Sequence, residues 1–368
     1  MELTINRNTL AEALNLAMPY ANAKNPIAIL KYGKMTTKGN RIKLEANDSQ
    51  GGIVRYMTLT ENCDEDGSFL INVADVSKFV SKLKDAEIRI KVADSTLTIK
   101  HSKGASDFPS PDAVEYPSLA SDETGETLTL PTAYLAESIR LAKDFVSTDN
   151  LRPQMTAIYA YFGEGKYGVC ATDTHVLIHN EYDLAEAQGE EKGFLIMPNA
   201  FGAIVSACKD SESVTITFND KQAQYHFGST IVRSTLAKGR FPMFRRVIPQ
   251  SHKIECVIEK SDILDTVSRA LLFVNNTSCI KLAFSQMDLT TSVENLTEAK
   301  KSSETIPHNG CDGELTIGMN ANNFAKCIKA IPSGEVKIEM NDENHAMVFR
   351  CDAMPNMTIL SMPLSLVS

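Results

Sequence analysis

The chain has 368 residues, 43% of them hydrophobic, and a net charge of −9. That length suits two or three domains with a core in each, and the acidic balance excludes a wholly basic nucleic-acid binder while leaving room for positive charge gathered on one surface. The longest apolar stretch, "FLIMPNAFGAIVSAC", is too short and too broken by Pro198 and Asn199 to span a bilayer.

In chain order, the first readable element is "LTINRNTLAEALNLAMPYA" (Leu3–Ala21), a short β-like run followed by an amphipathic helix. The same statement recurs at "FLINVADVSKFVSKLKD" from Phe69 and "LTLPTAYLAESIRLAKDFV" from Leu128. It returns at "FLIMPNAFGAIVSACKD" from Phe194, "CVIEKSDILDTVSRALLFV" from Cys256 and "LTIGMNANNFAKCIKAI" from Leu315. A unit repeating at intervals of roughly 60–70 residues is an architectural signature. Apolar stripes mark the buried helix faces: Val76, Phe79, Val80 and Leu83; Leu135, Ile139, Ala142 and Val146; Leu264, Val267 and Leu271; Phe324, Cys327, Ile328 and Ile331. Asn8, Thr132, Asn199 and Ser261 are the expected N-caps.

After each helix the pattern alternates with period two, as in "EIRIKVADSTLTIK", and "ND" dipeptides mark hairpin turns at Asn219 and Asn341. Each third of the chain therefore reads as two βαβββ units. One helix is too narrow to cover a sheet, so two helices and two antiparallel sheets are expected to share a core. The fold expectation is α+β, three repeated domains at 1–122, 123–252 and 253–368, with breaks near "SLASDETGE" and "VIPQSHKIE".

The helix faces opposite the apolar stripes carry cations. Lys78 and Lys82 lie at i, i+4; Arg140 and Lys143, and Lys326 and Lys329, lie at i, i+3; Arg269 lies opposite its stripe. Each pair alone fits an ordinary solvated face, and Glu12, Asp262 and Asp265 interrupt the pattern on two helices. Recurrence in all three thirds points to positive charge on one side of an acidic molecule.

The eight cysteines stand singly with no CxxC, which reads as reduced thiols. No GxxxxGK[ST], HExxH or GxSxG occurs. His175 and His179, if on one strand, would sit roughly 13 Å apart at ~3.3 Å per residue, too far to share a metal. No metal, cofactor or catalytic residue is expected, and the opening "MELTINRNTL" carries no cationic apolar leader, so a cytoplasmic address is expected.

Four stretches carry a resemblance. "CATDTHVL" (170–177), "GRFPMFRRVIP" (239–249), "STDNLRPQMTAI" (147–158) and "SMPLSL" (361–366) resemble, in order, segments of the bacterial DNA polymerase III β subunits, the sliding-clamp family. The second differs from that family's GRFPDYRRVLP at Met243, Phe244 and Ile248. The resemblance implies a head-to-tail homodimeric ring of six similar domains, with helices lining a hole for duplex DNA. It implies docking of the polymerase III catalytic subunit, a clamp loader and other clamp-motif proteins, and no chemistry of its own.

By the same resemblance, Lys24 and Arg152 match basic DNA-contacting positions, joining Lys78, Lys82, Arg140, Lys143, Arg269, Lys326 and Lys329. A partner-peptide pocket falls on Thr172, Thr174, His175, Val176, Leu177, Pro242, Arg246, Val247, Asn320, Asn323, Leu360, Met362, Pro363 and Leu364. An apolar cleft with a polar rim suits Leu or Phe anchors. Val176, Thr277, Asn323 and Thr174 depart from the family pattern, which implies altered polar selectivity, and Val367 and Ser368 extend past the usual end. The dimer seam falls on Phe108, Leu271 and Leu272, with Pro109 and Pro111 limiting the ladder beside it. Two other readings stay open: a clamp-like paralogue or mobile-element clamp serving a specialised polymerase, and an enzyme on a β-rich repeat scaffold.

Overall fold

A computed structural model describes residues 1–21, 25–48, 50–61, 63–117, 122–275, 277–295, 297–311, 313–332 and 334–366. The six repeated segments form six helices: α1 (Arg7–Ala17), α2 (Val73–Val80), α3 (Thr132–Ala142), α4 (Pro198–Ala207), α5 (Lys260–Ala270) and α6 (Ala321–Ala330). Each follows one strand and precedes three, so the βαβββ unit occurs six times.

The chain gathers into two compact units, Met1–Ile139 with Ile196–Ala237, and Arg140–Leu195 with Lys238–Ser368, and passes from one to the other inside α3. Each unit holds one four-stranded and one eight-stranded sheet, and every described pairing between named strands is antiparallel. In the first unit the small sheet runs Glu2–Asn6, Glu87–Ala93, Thr96–His101, Gly104–Pro109. The large one runs Gly67–Asn72, Tyr32–Lys38, Arg41–Asn47, Gly51–Thr58, Thr230–Thr235, Gln222–Phe227, Ser213–Phe218, Glu126–Pro131. In the second unit the small sheet runs Lys300–Pro307, Asp288–Asn295, Cys279–Phe284, Leu315–Asn320. The large one runs Lys192–Ile196, Ile158–Gly163, Lys166–Thr172, Val176–Asp183, Thr358–Ser361, Met347–Arg350, Glu335–Met340, Ile254–Glu259.

Two features of this order tie neighbouring repeats together. The first strand of each βαβββ unit leaves its own three strands and joins those of its twin. Glu2–Asn6 pairs with Glu87–Ala93, placing Leu3 opposite Ile90 and Ile5 opposite Ile88, while Gly67–Asn72 pairs with Tyr32–Lys38. Each large sheet then fuses strands from two successive repeats. Ile231 and Val232 pair with Val54 and Ile53, and Leu177 pairs with Leu360. At the first of these junctions a Cβ on Gly51 would lie 2.7 Å from the Arg233 carbonyl oxygen, so only glycine permits the approach. Arg55 binds Asp210 at 2.7 Å across the same junction.

Most of the expected stripe positions are buried, while Phe79 and Leu83 are half-buried. Val76, Val80, Leu135, Ile139, Ala142, Phe324, Cys327, Ile328 and Ile331 are buried, and Phe324 meets Phe349 edge-on at 5.5 Å. In α5 the buried face is Ile263, Thr266, Val267 and Ala270, one step around from the expected Leu264–Val267–Leu271 stripe. Phe145 is buried where Val146 was expected; Val146 is half-buried. The caps also differ from expectation. Asn6, two residues before Asn8, accepts from the Asn8 and Thr9 amides at the start of α1. Met197 and Glu259 precede α4 and α5 without a side-chain cap, and Pro198 supplies a residue with no N–H to satisfy in the first turn of α4. Thr132 instead donates to the Ser211 carbonyl. No described helix is long and apolar enough to cross a membrane.

Candidate functional site

In the second unit the hairpin end at Thr172–Leu177 is built by Asp173. Its Oδ1 accepts from the amides of His175 and Val176, both at 2.9 Å, and Thr172 Oγ1 accepts from the Thr174 amide at 3.1 Å. Thr174 takes a left-handed φ of 80° at the tip. The chain's last described segment returns to this tip: the Met362 amide donates to the His175 carbonyl at 2.8 Å and the Leu364 amide to Gly318 at 2.8 Å. Gly318 leads into Asn320, whose Oδ1 caps α6 by accepting from Asn322 and Asn323. Thr172, Thr174, His175, Leu177, Leu360, Met362, Pro363, Leu364, Asn320 and Asn323 are thus joined by chain and hydrogen bonds into one region. His175, Thr174 and Met362 are exposed, and Leu177, Leu360 and Thr172 form a buried floor.

Val176 departs from the expectation. It is fully buried on the other face of its strand, the face shared with Ile178 and Ile359, and cannot line an outer pocket. His175 lies in the turn before the strand, so the two histidines do not share it.

Pro242, Arg246 and Val247 come from the segment 239–247, which is anchored beside this floor by a cluster the sequence reading missed. His179 lies two residues from Leu177 on the same face. Its ring is 4.9 Å from Phe244. Tyr161 donates to Glu181 Oε1 at 2.6 Å and lies 2.6 Å from His179 Nε2. His179 Nε2 also stands 3.5 Å from Glu181 Oε1, so it faces the phenol and the carboxylate together. Lys166 binds Glu181 Oε2 at 2.8 Å. Arg245 lies 3.7 Å from Glu181 and 2.8 Å from Glu191, with its guanidinium over Tyr161 at 4.7 Å. The His179 hydrogen bond, aided by those from Lys166 and Tyr161, holds the Glu181 carboxyl well below the usual range against the opposing effect of burial. Burial, then the Glu181 hydrogen bond, pushes the Tyr161 phenol up. The alternations "YAYF" and "HNEY" carry this cluster in the sequence, since each puts its polar pair on one face.

The expected cations divide into free and engaged. Lys78, Lys82, Arg140, Arg152 and Lys329 are exposed, and Lys143 is exposed beside Asp144 at 3.2 Å. Lys326 is engaged: it is 29% exposed, 3.4 Å from Asp173 Oδ2, with its ammonium over the Phe145 ring. Arg269 is exposed yet held by Glu304 in a two-pronged pair at 2.7–3.0 Å. Lys24 lies outside the described residues, as do Val367 and Ser368. Arg140, Lys326 and Lys329 line an open cleft of about 490 Å³ with Asn322.

At the expected seam, Phe108 sits on Gly104–Pro109, the outer strand of its small sheet. It is half-buried against Phe79 at 5.4 Å, and Pro109 ends the ladder opposite Thr96. Leu271 is half-buried and Leu272 is 74% exposed. A His252–Glu255–Glu339 cluster has its ligand atoms within 4.8 Å of one another. Lys337 and Arg350 already bind its two carboxylates at 2.8 and 3.1 Å, which accounts for the acids as ion-pair partners.

Among known proteins, the chain matches the beta sliding clamp of Bacillus subtilis at 23% identity over 95% of this chain and 96% of the relative. It matches that of Halalkalibacterium halodurans at 25% over 92% of each. Its fold superposes on a Pseudomonas aeruginosa sliding clamp bound to griselimycin with a TM-score of 0.94 at 18% identity, both chains fully covered. It superposes on the Bacillus subtilis clamp structure with a TM-score of 0.90 at 22% identity, again with full coverage of both chains. Models of the N-terminal, central and C-terminal domains of the DNA polymerase III beta subunit match residues 1–120, 129–243 and 245–365. With all three domains matched in order over nearly its whole length, the chain belongs to the DNA polymerase III beta subunit family, the sliding clamps of DNA replication.

Proposed function

We propose that two copies close head to tail into a ring around duplex DNA and tether a replicative polymerase, a clamp loader and other partners through short apolar peptides. The observation that carries this reading is the sixfold βαβββ repeat with exposed cations on the outer faces of α2, α3 and α6. Phosphates recur along a duplex with dense charge and no sequence information, so cations on repeated helices attract every sequence alike. On this reading the domains divide at 1–122, 123–252 and 253–368, and the chain catalyses nothing itself. The pocket is the Thr172–Leu177 tip, the Met362–Leu364 tail and the 242–247 segment, over a Leu177–Leu360 floor.

Primer extension by the cognate polymerase, with loader and ATP, tests this function. Product length per binding event should rise many-fold when the protein is added; an unchanged length would refute the tethering role. The seam rests on Phe108, Leu271 and Leu272 beside a ladder that Pro109 ends, and therefore leans on apolar contact. Sedimentation across concentration should give a dimer that dissociates on dilution. A monomer at every concentration would rule out the ring, and a dimer persisting at sub-nanomolar concentration would contradict the weakened seam.

A further inference from the structure

Beside the apolar floor, on the same face of the large sheet, lies an open cleft of about 330 Å³ lined by Tyr159, Glu191, Arg240, Phe241, Arg245 and Arg246. Its walls are ordered by stacking: Tyr159 and Phe241 lie nearly parallel at 5.0 Å, and Phe244 meets Tyr159 edge-on. The one carboxylate, Glu191, is satisfied by Arg245 at 2.8 Å and accepts from the Tyr159 hydroxyl at 3.4 Å. Arg240 and Arg246 are exposed and make no ion pair among the described residues. The cleft therefore holds three guanidiniums against one carboxylate, with two of them uncommitted.

We infer that this cleft is an anion subsite of the partner pocket, taking the carboxylate of an acidic residue that flanks the apolar anchor of a docking peptide. The inference rests on the pocket reading above. Pro242 and Arg246 belong to both the cleft and the expected pocket, so a peptide seated on one reaches the other without a new segment. A guanidinium pair presents the forked donors that a carboxylate matches, and the aromatic walls offer a peptide apolar contact that a phosphate would not use. Position separates this charge from α6: Phe349 and Ile359 face that helix, whereas Leu177, His179 and Leu360 project from the other side of the sheet. Glu191 sets the orientation, since by holding Arg245 it leaves the entering acid to Arg240 and Arg246.

The test uses the full chain and fluorescein-labelled short peptides bearing a Leu-Phe anchor, with Glu or Gln at a flanking position, read by anisotropy. Binding of the Glu peptide should be roughly fivefold tighter at low salt, as for an exposed ion pair of good geometry. The preference should vanish in Arg240→Gln/Arg246→Gln and at high salt. Equal binding of Glu and Gln peptides in the unmodified protein overturns the subsite and leaves the pocket standing. Failure of both peptides to bind saturably overturns the pocket and the subsite with it. If the double variant keeps the Glu preference but loses duplex affinity, the arginines serve DNA and the inference is wrong. Unchanged thermal melting of the variant shows that folding is not the cause.

Discussion

Glu181→Gln should destabilise the second unit by about 2–3 kcal/mol, because it strips a largely buried carboxylate from donors that remain in place. Glu181 is 18% exposed and takes hydrogen bonds from Tyr161 and Lys166 while standing beside His179 and Arg245. A neutral amide at this position presents N–H groups to some of those same donors. For a unit of this size the melting transition should fall by roughly 5–10 °C. The pH dependence has a definite sign. The folded carboxyl titrates below its unfolded value, so its stabilisation is complete above the ordinary Glu range near pH 4–5 and declines as pH falls toward the folded value. The difference between wild type and variant should be constant at neutral pH and narrow in acid. A difference that grows in acid would contradict the assignment. Because this cluster anchors Phe244 and Arg245, the variant should also bind docking peptides more weakly at temperatures where it remains folded.

Removing the charges of Lys78, Lys82, Arg140 and Lys143 together, each to Gln, should weaken duplex binding about tenfold or more at low salt, equally for unrelated sequences. The slope of log affinity against log salt should flatten by up to about one unit per lost phosphate contact. These four are exposed, and among the described residues only Lys143 makes an ion pair, with Asp144. Arg269→Gln, by contrast, should change little, since Glu304 already neutralises that charge at 2.7 Å. Lys326→Gln should act on a different property: Asp173 would lose its ion pair while still capping His175 and Val176, so its effect should appear in peptide binding before DNA binding. A filter-binding or anisotropy salt series separates these outcomes. An undiminished slope in the quadruple variant would remove Lys78 and Arg140 on α2 and α3, and Lys82 and Lys143 in the turns that follow them, from the DNA-binding surface.

The repeat was legible because period alone distinguishes a helix stripe from a strand, and six copies of one pattern reinforce each other. Phe324, Cys327, Ile328 and Ile331 are buried as the pattern requires. The exchange of first strands between twin units was hidden, since Leu3 and Ile5 alternate identically whichever sheet receives them. The α5 face was misjudged by one step because Ile263, Leu264 and Val267 offer two apolar choices, and packing selects Ile263 with the small Thr266 and Ala270. The caps failed for a related reason: several polar residues lie within two positions of each helix start, and only geometry decides among them. The pocket expectation came from resemblance, yet Val176 points inward because strand alternation assigns it the opposite face from Leu177. The charge list could not separate free cations from Lys326 and Arg269, whose carboxylate partners Asp173 and Glu304 are distant in sequence.

Retention on nicked circular duplex after loading, compared with retention after a single cut linearises the same circle, tests enclosure most directly. A closed ring should persist on the circle at salt that dissociates electrostatic binders, and should run off within the dead time once free ends exist. Equal retention on circle and linear duplex would contradict enclosure and leave only a surface-bound protein.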